Sequence, residues 1–115
     1  MEKTVQISLL NDFYGELLTE KQRRTVDLYH NDNLSLGEIA GLEGITRQAV
    51  RDTLLRAETI LTETEKKTHL VARYRALLAE IESAQKLLRA IRSGEESDLA
   101  AGLAGLDEAL EAMKL

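Results

Sequence analysis

Residues 35–54 read SLGEIAGLEGITRQAVRDTL, and they contain the start signals of two helices with a glycine between them. Ser35 followed by Glu38 has the spacing of a capping box, in which the two side chains satisfy backbone N–H groups at the helix start. Thr46 is a preferred N-cap residue for a second helix. Gly44 can take the positive φ that a tight turn between two helices requires. The segment therefore has the layout of a helix-turn-helix.

The apolar residues of this segment and of the residues after it stand where a helix-turn-helix needs buried side chains. They are Ile39, Ala40, Ile45, Val50, Leu54, Ala57 and Leu61. From Val50 onward they step by four, three and four residues, which keeps them on one helical face. We therefore expect the opposite face of the second helix to be exposed.

The composition is typical of an all-α protein. The chain has 115 residues, with 21 Leu, 13 Ala and no Pro, and both Leu and Ala favour helices. Without Cys, it can form no disulfide framework, thiolate metal site or Cys nucleophile. No apolar run approaches the roughly 18 residues of a membrane helix. Because Met1 is followed by Glu2 and Lys3 rather than by the apolar segment of a signal peptide, we expect a cytoplasmic protein with no membrane contact.

Two further helices are expected before this segment. The apolar pattern predicts a short helix over residues 5–18, which Gly15 ends or bends. Thr19 and Gln22 form another capping box, and the helix that they begin is expected to run to about Asp32. The polar residues 62–69 fit either a solvated part of one long helix or a break between two helices.

The carboxy-terminal half contains the most regular apolar periodicity of the chain. Between residues 70 and 91 the apolar residues step alternately by four and three, which gives an a/d seam of three heptads. The seam consists of Leu70, Tyr74, Leu77, Ile81, Ala84, Leu88 and Ile91. A last amphipathic helix follows over residues 99–113. Because one helix cannot bury such a seam, we expect it to pair with a partner chain, within the same chain, or both, and we predict a homodimer.

These patterns divide the chain into two functional parts. Residues 1–65 are predicted to form a helix-turn-helix DNA-binding domain. Residues 66–115 are predicted to form a helical region for dimerisation or another interaction.

The exposed side of the second helix is the candidate DNA-binding surface. The N-terminal part of a recognition helix contacts base edges in the major groove, where arginine bonds guanine and glutamine bonds adenine. We therefore predict that Arg47, Gln48 and Arg51 read bases. Thr46 at the helix N-terminus and Lys21 are expected to position the helix on phosphates. Further phosphate contacts are expected from Arg23, Arg24 and Arg56.

The charge balance leaves an alternative open. The chain has 15 basic and 20 acidic residues, a net charge of −5, so broad adhesion to nucleic acid is not expected and any binding must come from a local basic face. Glu43 and Asp52 stand next to that face and repel phosphate. Arg47 and Arg51 also fit a solvated surface, and residues 35–55 also fit a protein-binding surface.

The sequence resembles a known family in three runs. They are Leu18-Thr19-Glu20-Lys21-Gln22-Arg23, Leu34-Ser35-Leu36-Gly37-Glu38-Ile39-Ala40 and Ile45-Thr46-Arg47-Gln48-Ala49-Val50-Arg51, which look like region 4 of bacterial sigma factors. With Asp12-Phe13-Tyr14 ahead of them, the runs resemble the YlxM family over residues 5–78. The resemblance implies a helix-turn-helix domain without a wing, a dimer, and a link to the signal recognition particle pathway. The chain departs from the family pattern at Gly41 and Gly44, and at Arg51, where the family commonly has an aromatic residue.

The sequence thus favours a dimeric, sequence-specific DNA-binding protein that regulates transcription. The alternative is a module that binds protein or RNA of the signal recognition particle machinery. His30 and His69 are isolated, so we expect no metal site. No catalytic motif or phosphate-binding loop occurs, so we expect neither an enzyme nor a cofactor.

Overall fold

The structure of the protein is a computed structural model, which describes residues 2–94 and 99–114. Within these two ranges the chain forms six α-helices and no strand. The helices are α1 (Lys3–Tyr14), α2 (Glu20–Val26), α3 (Leu36–Glu43), α4 (Arg47–Thr68), α5 (Leu70–Ser93) and α6 (Leu99–Ala112). A 3₁₀ turn at Gly15–Leu17 follows α1, and a π-helical turn at Asp27–Asn31 follows α2. The all-α fold class is confirmed.

By its contacts the chain divides into two units, Met1–Val71 and Ala72–Leu115. The first unit contains α1 to α4 and the beginning of α5, and the second contains the rest of α5 and α6. The division predicted from the sequence, between residues 65 and 66, falls inside α4 and stays a prediction about domains.

The two capping boxes form as the sequence predicts. Thr19 and Ser35 each accept a hydrogen bond through the hydroxyl oxygen from the backbone N–H three residues later. In return, the side chains of Gln22 and Glu38 accept hydrogen bonds from the backbone N–H of the cap residue. These hydrogen bonds from Ser35 lower the pKa of the Glu38 carboxyl from its usual value. Local sequence therefore sets where α2 and α3 begin.

The first unit packs around α4. The early part of α4 lies against α3 in one apolar cluster, and the later part lies against α1 and α2 in another. The first cluster contains Ile39, Ala40 and Val50, with Leu28, Tyr29, Leu34, Leu36 and Ile45 packed against them. The second contains Ile7, Leu10, Tyr14, Leu18, Val26, Leu54, Ala57, Leu61 and Val71. The stripe predicted from Val50 to Leu61 is buried, which leaves the other side of α4 exposed.

The π-helical turn is a feature that the sequence does not reveal. Instead of continuing regularly to Asp32, α2 passes into this turn, where His30 is buried. Nε2 of His30 lies 3.4 Å from Glu58 Oε2, and Nδ1 lies 3.3 Å from Thr4 Oγ1. Lys3 Nζ lies 3.3 Å from Oε1 of the same glutamate. Each ring nitrogen and each carboxylate oxygen therefore has a polar neighbour, as burial of such groups requires.

The polar segment 62–69, which the sequence leaves undecided, continues α4 as far as Thr68. The break comes at His69, whose φ of 56° lies in the left-handed region and whose backbone N–H donates to the carbonyl oxygen of Glu65 at 2.8 Å. A non-glycine residue in this conformation is uncommon. The surrounding contacts therefore determine the end of α4.

A buried tyrosine joins the end of α1 to this break. The Tyr14 hydroxyl donates to Glu65 Oε1 at 2.6 Å and is also hydrogen-bonded to Thr68. The same carboxylate oxygen accepts the backbone N–H of Val71 at 3.0 Å, in the first turn of α5. The Glu65 side chain thus holds α1 and the start of α5 at once.

Tyr14→Phe is expected to lower the free energy of unfolding by about 1 kcal/mol at neutral pH, because it removes these hydrogen bonds. Burial and the hydrogen bond to Glu65 raise the pKa of Tyr14 above 10.0. A raised folded-state pKa gives stability that is complete below the unfolded pKa and is lost as pH rises through the folded pKa. The free energy of unfolding of the variant should therefore fall less between neutral and alkaline pH than that of the wild-type chain. Urea denaturation at about pH 7 and about pH 10.5 measures both values. Tyr29→Phe, at a half-buried ring, is the control, and equal losses and equal pH profiles for the two variants would contradict this role.

The second unit is a hairpin in which α5 and α6 run in opposite directions. A β-carbon added at Gly105 would lie 3.4 Å from the Leu87 side chain, an ordinary van der Waals distance, so α6 lies beside α5 at this point. Toward the other end of α6, Ala112 and Met113 line a small cavity with Leu77. The buried and half-buried apolar residues of the hairpin are Leu77, Ile81, Ala84, Leu87, Ala90 and Ile91 on α5, and Gly102, Gly105, Leu106 and Ala109 on α6.

The members of the predicted seam over residues 70–91 differ in exposure along α5. Its buried or half-buried members are Leu77, Ile81, Ala84 and Ile91. By contrast, Leu70, Tyr74 and Leu88 are 47%, 43% and 44% exposed. Periodicity alone does not tell which residues of an apolar stripe meet another helix of the same chain. The role of the seam in a dimer stays a prediction.

Candidate nucleic-acid interface

The helices α3 and α4 form the helix-turn-helix that the sequence predicts. Gly44 ends α3 with a φ of 67°, and the backbone N–H of Ile45 donates to the carbonyl oxygen of Ala40 at 3.2 Å. Thr46 Oγ1 then accepts the backbone N–H of Ala49 at 3.0 Å, which caps α4. Because both sides of the turn are fixed by hydrogen bonds and Ile45 packs into the cluster below it, the start of α4 is held firmly against α3.

The predicted base-reading residues lie together at the start of α4. Arg47, Gln48 and Arg51 are exposed, within the first two turns after the cap at Thr46, which is exposed as well. On the opposite side of the helix, Val50 has no exposed surface. The structure therefore brings these four polar residues onto one accessible end of the helix.

Arg47 lies across both helices of the motif. Its Nε and Cδ atoms are 3.8 and 3.9 Å from the position that a β-carbon would take at Gly37, in the first turn of α3. The Arg47 side chain therefore lies beside the first turn of α3, close to the cap formed by Ser35. A charged side chain at this place can reach a phosphate that approaches the N-termini of both helices.

Gln48 has a partner on its own helix. Its Nε2 donates to Asp52 Oδ1 at 2.9 Å, four residues later. The hydrogen bond is exposed, so exchanging it for a hydrogen bond to another acceptor costs little. Asp52 also places a negative charge beside the exposed arginines. This charge repels phosphate, so it lowers the affinity of the surface for DNA of any sequence.

The structure does not place Lys21 and Arg56 beside Arg51. Arg56 follows Arg51 by five residues, which is about 140° around the helix axis. It lines a shallow groove with Gln22 and Leu55, whereas Lys21 lines another groove, between α2 and α3. Both side chains are exposed and lie at the sides of the motif, as contacts to a phosphate backbone would require.

Besides Lys21, two further expected phosphate contacts lie in α2, and they are Arg23 and Arg24. Arg24 Nε donates to Glu43 Oε1 at the end of α3. This hydrogen bond, with the attraction between the two charges, raises the pKa of Arg24 above its usual value. Arg24 is therefore engaged in holding α2 to α3, while Arg23 is exposed beside it.

A groove of about 340 Å³ runs next to Arg51. Its apolar wall includes Leu36 and Leu55, and the buried pair of His30 and Glu58 lies at its polar end. The sequence offers His30 no Cys and no second His at ligand spacing, and 28 residues separate it from Glu58. Only the fold of α1, the π-helical turn and α4 brings the pair together.

The start of α4 has a charge opposite to that of the chain. Residues 46–56 contain three basic residues, Arg47, Arg51 and Arg56, and one acidic residue, Asp52, so their net charge is 3 − 1 = +2. The whole chain has a net charge of −5. A polyanion that approaches this part of α4 therefore meets a local positive charge, although the chain as a whole is negative.

Two other kinds of site receive no support from the structure. Among residues 2–94 and 99–114, no group of three or more His, Asp or Glu side chains is placed to hold a metal ion. In the same part of the chain, no helix combines the length and the apolar character needed to cross a membrane.

Comparison with known proteins identifies similar sequences. Residues 1–97 match the model of the UPF0122 family, described as "Putative helix-turn-helix protein, YlxM / p13 like". A UPF0122 protein of Desulforamulus reducens is 46% identical over 95 residues, which cover 83% of this chain and 81% of that protein. One of Shouchella clausii is 46% identical over 87 residues, 73% of this chain and 80% of that protein. One of Lacticaseibacillus casei is 49% identical over 76 residues, 66% of this chain and 67% of that protein.

Proposed function

Since this chain belongs to the UPF0122 family of YlxM / p13-like helix-turn-helix proteins, we propose that it is a sequence-specific DNA-binding protein that regulates transcription in the cytoplasm. The start of α4 enters the major groove. Arg47, Gln48 and Arg51 contact base edges, and Thr46 contacts a phosphate at the helix N-terminus. Lys21 and Arg56 contact the phosphate backbone at the two sides of the motif.

The observation that carries this proposal is the exposed, locally basic start of a helix that is fixed from behind. Val50 and the α3 residue Ile39 are fully buried beneath it, so the helix cannot rotate its polar side inward without losing that packing. The cap at Thr46 leaves the first turn of α4 open to solvent. A rigid helix with exposed hydrogen-bond donors is what base recognition in the major groove needs.

The protein acts as a homodimer in this proposal. Two recognition helices that face one side of a duplex contact half-sites separated by about 34 Å or a multiple of it. The exposed members of the seam, Leu70, Tyr74 and Leu88, supply part of the interface, with Leu77, Ile81 and Ile91 beneath it.

Selection from a random duplex library tests the proposal. The full chain is mixed with duplexes of randomised sequence at moderate salt, and bound duplexes are amplified and sequenced through several rounds. We expect one motif to be enriched, with two similar halves if the protein binds as a dimer. If the recovered sequences remain random while the protein stays folded, the proposal of specific recognition fails.

Lys21→Ala is expected to weaken binding about equally for all duplexes. It removes one phosphate contact, so the slope of log K against log salt should become shallower by about 0.9 while the enriched motif stays the same. The measurement is fluorescence anisotropy of the enriched duplex across a salt series. Lys67→Ala, at an exposed lysine in the last turn of α4, is the control and should leave the slope unchanged. A change in the preferred motif in Lys21→Ala would contradict a backbone role.

A second candidate function is a module that binds protein or RNA of the signal recognition particle machinery. The observation in its favour is the acidic character around the motif, where Asp52 and Glu43 stand beside the arginines. A salt series distinguishes binding to a protein from the proposed function. The affinity of a protein-docking surface for its partner should depend weakly on salt, whereas the affinity for duplex DNA should fall steeply as salt rises. Binding to structured RNA is separated by competition, since a folded RNA should then displace the enriched duplex at equal concentration.

A further inference from the structure

The exposed start of α4 contains an acidic side chain that contacts a predicted base-reading residue. Asp52 Oδ1 accepts a hydrogen bond from Gln48 Nε2 at 2.9 Å, and both residues are exposed. Asp52 also precedes Arg56 by four residues, a spacing at which helices commonly form ion pairs. Within the described part of the chain, however, its carboxylate is bonded to Gln48 and forms no ion pair with Arg56. The polar contact that Asp52 makes on this surface is therefore with Gln48.

This hydrogen bond determines which way the Gln48 amide faces. A glutamine amide has a donor, Nε2, and an acceptor, Oε1, which exchange places when the amide makes a half-turn. An ionised carboxylate only accepts hydrogen bonds, so Oε1 cannot face Asp52 without repulsion. Nε2 carries two N–H groups, and Asp52 needs only one of them. The second N–H group and Oε1 therefore remain available to a ligand outside the protein.

An amide held in this way presents a donor and an acceptor side by side. In the major groove adenine offers the complementary pair, because N7 accepts and the N6 amino group donates. Guanine offers two acceptors, N7 and O6, so one of them would face Oε1. An amide that turns freely can instead give only N–H groups to guanine, or only its oxygen to the N4 amino group of cytosine. Holding the amide thus favours adenine by penalising other bases.

The positions of the two residues on α4 suit different roles. The helix begins at Arg47, so Gln48 is its second residue, and Asp52 follows one helical turn later. Four residues correspond to about 6 Å along the helix axis and to about 40° around it. A recognition helix contacts base edges through its N-terminal part, which brings Gln48 to the bases ahead of Asp52. Asp52 can therefore hold the Gln48 amide from behind.

We propose that Asp52 is a positioning residue, which holds the Gln48 amide in the orientation that reads adenine. This inference rests on the proposed function and names the base that Gln48 contacts. In the protein without DNA, water can replace either partner of the hydrogen bond at small cost. In the complex, DNA covers α4, and an amide that turns away leaves the carboxylate without a donor. The penalty for a wrong base therefore arises in the bound state.

The charge of Asp52 has a separate effect on binding. It repels phosphate, so it weakens binding to duplexes of every sequence by about the same factor. Removal of the charge therefore changes each Kd but leaves the ratio between two bases at one position unchanged. The ratio of the Kd values for guanine and adenine at the position read by Gln48 is thus the quantity that reports positioning.

A double-mutant cycle measures this ratio. The two duplexes are the one enriched from the random library and the same duplex with guanine in place of adenine, at the position where Gln48→Ala loses preference. Asp52→Ala should strengthen binding to the guanine duplex more than to the adenine duplex. The ratio should fall by about 3- to 10-fold, which corresponds to one hydrogen bond. In the Gln48→Ala background, Asp52→Ala should strengthen binding to both duplexes alike and leave the ratio unchanged.

The conservative variant for this cycle is Asp52→Glu. It keeps the negative charge and a side chain that only accepts hydrogen bonds, so it should keep most of the ratio. Because Gln48 and Asp52 are exposed, all of these variants are expected to fold, which thermal unfolding checks. An unchanged ratio in Asp52→Ala, or an enriched motif with no adenine that depends on Gln48, would overturn the proposal. Equal changes of the ratio in both backgrounds would overturn it as well, because Asp52 would then contact a base itself.

Two adenine analogues test the paired contact. A 7-deazaadenine lacks the N7 acceptor for Nε2, and purine lacks the N6 amino group that donates to Oε1. We expect each analogue to weaken binding of the wild-type chain by several-fold and to have no further effect on Gln48→Ala. If only one of the two analogues weakens binding, the amide does not present its donor and acceptor together, and the proposal is wrong.

The variant Arg51→Ala separates a failure of this inference from a failure of the proposed function. If a motif is enriched and Arg51→Ala loses preference at a guanine, while Asp52→Ala keeps the full ratio at the adenine, DNA recognition stands and positioning by Asp52 fails. If no motif is enriched from the random library, DNA recognition fails, and the role of Asp52 fails with it.

Discussion

Arg51→Ala is expected to lower affinity for the enriched duplex by about 5- to 150-fold, since a bidentate contact to a base contributes about 1–3 kcal/mol of discrimination. Arg51 lies on the exposed side of the second turn of α4, one helical turn after Arg47, where a recognition helix contacts base edges. The loss should be greatest for the preferred motif and small for random duplexes. The variant should therefore lose sequence preference as well as affinity. The measurement is anisotropy with the enriched duplex and with a scrambled duplex of the same composition.

The control for this prediction is another exposed arginine of the same chain. Arg75→Ala, on α5, removes the same charge and the same length of side chain outside the helix-turn-helix. It should change affinity for both duplexes little. If Arg51→Ala keeps the full ratio between enriched and scrambled duplexes, the role of Arg51 in reading bases is wrong, and the arginine is a solvated surface residue or a phosphate contact.

Ile39→Ala is expected to lower the free energy of unfolding by about 2–5 kcal/mol, because it opens a cavity in a small apolar cluster. Ile39 has no exposed surface and lies with Ala40 and Val50 between α3 and α4. The cluster is small, so few neighbouring side chains are available to fill the space. Urea denaturation of the full chain measures the effect, followed by the fluorescence of the three tyrosines, of which Tyr14 and Tyr29 lie in the first unit.

Leu42→Ala is the matched control on the same helix. Leu42 follows Ile39 by three residues but is 64% exposed, so its truncation should change stability by less than about 0.5 kcal/mol. Equal destabilisation by the two variants would contradict the packing of α3 against α4. The comparison also shows whether the apolar residues of the helix-turn-helix act through burial or only through helix propensity.

The parts of the fold that the sequence predicts are those governed by local signals. Thr19, Ser35 and Thr46 begin helices because a hydroxyl oxygen can accept a nearby backbone N–H in any fold that contains the helix. Gly44 ends α3 because the turn needs a positive φ. The buried stripe that begins at Val50 follows from helical periodicity. Where the two helices of the motif begin and end along the sequence therefore depends little on the rest of the chain.

The parts that the sequence misses depend on residues far apart in the chain. The π-helical turn over Asp27–Asn31 accompanies a buried His30 whose partners come from α1 and α4. No glycine or proline marks the break at His69. The break lies beside the hydrogen bond between Tyr14 and Glu65, two residues that are 51 positions apart in the chain. Part of the predicted seam packs within the chain because α6 lies against α5. Periodicity specifies that these residues are apolar, and topology decides what they contact.

In the candidate site, too, some features are set by local sequence and others by residues far apart in the chain. Its residues at the start of α4 could be predicted because a capped helix with a buried stripe exposes the opposite side. The sides of the site could not be predicted. The pairing of Arg24 with Glu43, and the separation of Lys21 from Arg56, depend on how α2 packs against α3 and α4. Whether a side chain is available to DNA is therefore decided by tertiary packing.

The most direct test of DNA recognition by α4 combines a base change with a protein change. Each guanine of the enriched motif is replaced in turn by 7-deazaguanine, which lacks the N7 acceptor that arginine contacts in the major groove. We expect one replacement to weaken binding of the wild-type chain by several-fold and to have no further effect on Arg51→Ala. If every replacement weakens the wild-type chain and Arg51→Ala equally, Arg51 does not contact guanine, and α4 does not read DNA in the way proposed.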